Sequence, residues 1–219
     1  MALFGLIQNL AMFTETKCYF EHTEFVNILT AYLMKTKPDI SLMAILTLAM
    51  LIDVMDTEEK KVLIFNEETI FGYIKILQRA VLEPDFAAKD VHGSLVIPAD
   101  DILRLLKHLW HVEVNRDIII KLYPSLMPLL ETCLTNGKEI HQTATLDLLW
   151  TVISESDLLM ATAERDTTTA VLISLLFDVA VSTQVRSMAH CVFYKLNPEQ
   201  VEGMCFKVIY MIVCYGYGC

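Results

Sequence analysis

The dipeptide Leu109–Trp110 returns as Leu149–Trp150, 40 residues later, and the apolar positions around it return as well. Leu106 falls on Leu146, Val112 on Val152, and Ile118 and Ile119 on Leu158 and Leu159; Asp117 falls on Asp157. A register held over a dozen positions indicates a structural repeat, not a chance dipeptide. No other feature constrains the fold as strongly, because periods near 40 in a helical chain mean stacked two- or three-helix units. Weaker echoes extend the pattern both ways. "TETKCYF" at 14–20 is matched 43 residues on by "TEEKKVL" at 57–63, and Phe193 stands 43 residues after Trp150.

The segments between these landmarks have helical periodicity. Phe25, Ile28, Leu29, Tyr32 and Leu33 make one stripe, and Ile102, Leu105, Leu106 and Leu109 another. No run alternates apolar and polar residues convincingly, and Gly (7) and Pro (6) are too few for the turns of a sheet. Pro38–Asp39, Pro124–Ser125, Asn136–Gly137 and Asn197–Pro198 are expected to punctuate the helices. The fold class is therefore all-α. Hydrophobic residues make up 54% of the chain and the mean hydropathy is +0.46. Repeat units explain that excess, since each buries apolar faces against its neighbours.

A membrane-spanning helix needs about 20 consecutive apolar residues. The longest uncharged runs, at 1–14, 40–52 and 208–219, all fall short, so no membrane partner is expected. No Lys or Arg precedes Lys17, so the basic region of a signal peptide is missing. The chain is expected to be one repeat domain over 1–219, with units at about 14–56, 57–112, 113–153 and 154–196. Residues 1–13 and 200–219 read as partial units, and 83–100 as a loop insertion that lengthens the second unit.

The stretch from Glu113 to Ile153 resembles an armadillo repeat. Asn115–Arg116 and Ile119 match the opening of the family pattern, and Leu126, Leu129 and Leu130 its second helix. Asn136–Gly137 match the loop, and Ala144, Leu148, Leu149 and Trp150 the third helix. Tyr123–Pro124 replace the glycine of the family's first turn. Divergent HEAT repeats, which stack helices similarly, stay open as an alternative. The resemblance implies a right-handed α-solenoid of about four armadillo-like repeats whose third helices line a concave groove. Its groove positions carry over to Asp53, Lys107, His111, Asp147, Thr151, His190 and Tyr194. The Trp and Asn with which importin-like members clamp basic peptides are replaced at nearly every such position, so nuclear-import cargo is not expected. Both Trp residues are expected in the core, where Trp150→Ala should cost about 3–5 kcal/mol.

Little in the sequence suggests chemistry. The net charge of −10 and scattered basic residues argue against nucleic acid. His108 and His111, with Glu113 or His141, make a weak zinc set, and no H-E-x-x-H is present. "HGSL" at 92–95 lacks a nucleophile elbow. No P-loop or dinucleotide fingerprint occurs. The carboxylates from Asp53 to Glu68 read as a solvated boundary between units. None of the six cysteines forms a C-x-x-C pair, which fits free thiols in a reducing, cytoplasmic compartment.

The expected function is a non-catalytic scaffold that binds a protein or peptide in the solenoid groove, without metal or cofactor. The alternative is a regulatory or sensor segment of a larger signalling protein or enzyme, such as one carrying a Toll/interleukin-1-receptor-type domain. The apolar ends "MALFGLIQNLAMF" and "MCFKVIYMIVCYGYGC" lack a cap's charged face, so a fragment that self-associates through them is expected.

Overall fold

The computed structural model describes residues 25–33, 38–52, 57–89, 96–155 and 165–197, together with Ile7, Leu10, Phe20 and Met55. These residues are mostly helical. Among them run α1 (Phe25–Leu33), α2 (Pro38–Met50), the single turn α3 (Thr57–Lys60) and a 3-10 turn (Lys61–Leu63). α4 (Glu67–Leu82), β1 (Ala87–Lys89), β2 (Val96–Pro98) and α5 (Ala99–Trp110) follow. The remaining helices are α6 (Glu113–Asn136), α7 (Glu139–Glu155), α8 (Arg165–Phe177) and α9 (Thr183–Leu196). The chain divides into two compact units, Met1–Leu126 and Met127–Cys219.

In the first unit α1 packs on α2, α4 packs on α5, and α2 lies against α5. Local chemistry sets the boundaries. Asn66 caps α4 by accepting the Thr69 N–H at 2.9 Å, and Glu67 and Glu68 complement the positive end of the helix dipole. The helix then buries Ile70, Tyr73, Ile74, Leu77 and Ala80, one stripe at helical spacing. Burial pushes the Tyr73 hydroxyl up to about 12, and its ring meets Phe65 edge-on at 5.9 Å. On α5, Ile102, Leu103, Leu105, Leu106, Leu109 and Trp110 are all fully buried.

Asn115, matched above to the armadillo opening, has a structural role here. It is completely buried; its side-chain amide donates to the Leu63 carbonyl at 2.7 Å, and its Oδ1 accepts the Phe65 N–H at 2.9 Å. One side chain thus satisfies a donor and an acceptor of the segment that leads into α4, groups that would be costly to leave unpaired.

The second unit shows the same arrangement. α8 packs on α9, and α9 lies against α7. The Gln142 amide donates to the Leu134 carbonyl, tying α7 to the end of α6, and the Thr168 hydroxyl of α8 donates to Glu131 of α6. Gly137 makes the α6–α7 turn possible. A Cβ there would stand 2.3 Å from the Cys133 carbonyl oxygen and 2.9 Å from the His141 Cβ. Ser182 caps α9 through the Val185 N–H, and Val185, Ala189, Val192, Phe193 and Leu196 form its buried stripe.

Three expectations are corrected. The insertion at 83–100 is more than a loop: β1 and β2 pair antiparallel, with Ala88 opposite Ile97. Phe86 anchors the hairpin in a left-handed conformation (φ 55°), with its N–H on Glu83 and its carbonyl accepting from Ala99. Three-residue strands are too short to show alternation. Second, Pro124 does not break a helix, because α6 runs unbroken through Pro124 and Pro128. Both prolines are solvent-exposed and one turn apart, so the carbonyls that lose a donor lie on the wet side of the helix. Third, α6 is long and apolar enough to cross a membrane by length and composition. Three of its charges, Glu113, Arg116 and Asp117, crowd its first turns, and counting uncharged runs misses this. The helix is only partly buried, and it uses Asn115 and Lys121 to engage Leu63, Phe65 and Glu67.

Candidate partner-binding surface

The buried positions of α7 include His141, Ala144, Thr145, Leu148, Leu149 and Val152, a broad stripe at helical spacing. The remaining strip, Thr143, Asp147, Trp150 and Ser154, faces outward and is partly or fully exposed. On α9 the outward strip is Ser187, Cys191 and Tyr194. Where the two helices lie side by side they enclose an open cleft of about 260 Å³. Leu146, Asp147 and Trp150 line it from α7, and Ser187, Met188, Cys191 and Val192 from α9. The walls are mainly hydrocarbon, sulfur and indole, with one carboxylate and one hydroxyl for orientation.

Trp150 is 42% exposed, contrary to the expected core position, and Tyr194 is 51% exposed. Trp150 lies on a helix strip whose other members are polar, so the packed interior cannot take it up. Thr151, expected in the groove, is instead buried and donates its hydroxyl to the Asp147 carbonyl at 2.9 Å. The solvent strip of α7 thus passes through Trp150 and not through the next residue. Asp147, half-buried His190 and exposed Tyr194 do sit on the two adjacent helices, and Asp147 lines the cleft. Leu146, Ser187, Met188, Cys191 and Val192 are cleft residues that the family pattern did not indicate.

The other expected groove residues lie elsewhere. Asp53 falls outside the described residues, as do the 92–95 segment and both apolar ends of the chain apart from Ile7 and Leu10. Lys107 is half-buried on α5, and exposed His111 closes that helix by donating its N–H to His108. These two belong to the first unit.

Among the described residues no group of three or more His, Cys, Asp and Glu is placed to hold a metal ion. His141 is buried, and its Nδ1 accepts the Lys138 N–H at 3.1 Å, so it closes the start of α7. Burial pushes the Cys133 thiol up to about 12, although Thr145 partly opposes this by hydrogen bonding to it. A thiol held protonated is a poor nucleophile. Cys191, by contrast, is exposed in the cleft.

Compared with protein-family models, curated proteins and solved structures, the chain matches none.

Proposed function

We propose that this chain is a non-catalytic scaffold, an armadillo-like α-solenoid that binds a protein or peptide partner along the α7–α9 face. The observation that carries this reading is Trp150, a large aromatic left partly in water on the wall of an apolar cleft, with a second exposed aromatic, Tyr194, on the neighbouring helix. Aromatic side chains of this kind dominate binding energy when a partner covers them. Exposing them costs the free chain stability, which a partner surface would recover.

The solenoid reading draws support from two sources. The 40-residue register has a counterpart in the helices, since α5 opens at Ala99 and α7 at Glu139. The packing scheme also recurs: the second helix of one pair lies against the second helix of the next, α2 on α5 and α7 on α9. The unbroken α6 stands where the family pattern has two shorter helices, which favours the HEAT-like alternative.

An unbiased peptide-library selection on the whole chain tests the proposal. Peptides should be recovered, and Trp150→Ala should release them with no loss of helical circular dichroism. Recovery of no peptide, or undiminished capture by Trp150→Ala, contradicts it.

A further inference from the structure

We draw no further inference here: the strongest candidate, the Cys191 and Met188 side of the cleft between α7 and α9, belongs to the site already described, and nothing in the structure shows which particular partner covers it.

Discussion

Trp110 and Trp150 each stand twelfth in their helix, 40 positions apart, yet Trp110 is fully buried and Trp150 is 42% exposed. Their surroundings along the helix explain the difference. Trp110 ends α5 one and two turns beyond the fully buried Leu106 and Leu103, whereas the strip through Trp150 is Thr143, Asp147, Trp150 and Ser154. Trp110 extends the buried face of α5; the polar strip of α7 carries Trp150 into solvent. Replacing each with Ala should therefore give unequal costs. Trp110→Ala should lose about 3–5 kcal/mol. Trp150→Ala should lose only about 1–2 kcal/mol, because much of the ring already meets water. Denaturant titration of the two variants measures both, and equal losses would show that the two rings share one environment.

Two glycines, one inside a helix and one in a turn, give opposite signs. Gly72 lies inside α4, and a Cβ there would meet nothing within 4 Å. Gly72→Ala should stabilise by about 0.5–1 kcal/mol, the ordinary gain of Ala over Gly in a helix. Gly137→Ala forces a Cβ against the Cys133 carbonyl and should destabilise by about 1–3 kcal/mol. Thermal unfolding of the pair checks the signs. A stabilising Gly137→Ala would mean that the α6–α7 turn takes another path.

Much of this architecture is legible in the sequence. The stripe of Ile102, Leu105, Leu106 and Leu109 correctly marks the buried face of α5, and the 40-residue register correctly separates the starts of α5 and α7. The failures have local causes. Pro124 does not break its helix, because a proline on the wet face of a long helix leaves the orphaned carbonyl to water. The β1–β2 hairpin depends on two three-residue strands, and its anchor is a left-handed Phe86 that no pattern announces. The exposure of Trp150 was readable from Thr143, Asp147 and Ser154. The family pattern puts a Trp in the core at that place, and this chain departs from it.

Asn115 should be hard to replace. Asn115→Ala leaves the Leu63 carbonyl and the Phe65 N–H unpaired in a buried place, a loss of about 2–4 kcal/mol. Asn115→Asp should not rescue stability, since a carboxylate cannot donate to the Leu63 carbonyl and adds a buried charge. Chemical denaturation of both variants tests this; an Asp variant as stable as wild type would rule out the donor role.

Stability should also respond to pH through Asp101. Burial, reinforced by the neighbouring Asp100 carboxylate, pushes its carboxyl up to about 6 from 3.8, with Arg104 opposing. A raised carboxyl pKa means that the folded state binds the proton more tightly than the unfolded state does. This group therefore costs stability above pH 6 and ceases to do so as pH falls from about 6 towards 4. Asp101→Asn should remove that slope and gain about 1–2 kcal/mol at pH 7.5, a figure reduced for solvent screening at this partly exposed site. Melting curves between pH 4 and 8 give the comparison, and an unchanged slope in the variant assigns the titration to another group.

The central claim, that a partner covers the α7–α9 face, is tested most directly by tryptophan fluorescence, because Trp150 is one of only two tryptophans and Trp110 is buried. A peptide selected on the whole chain is titrated in while emission and iodide quenching are followed. The account predicts a shift to shorter wavelength and protection from iodide, both lost in Trp150→Phe. Saturable binding that leaves Trp150 open to iodide, or a shift that persists in Trp150→Phe, would contradict it.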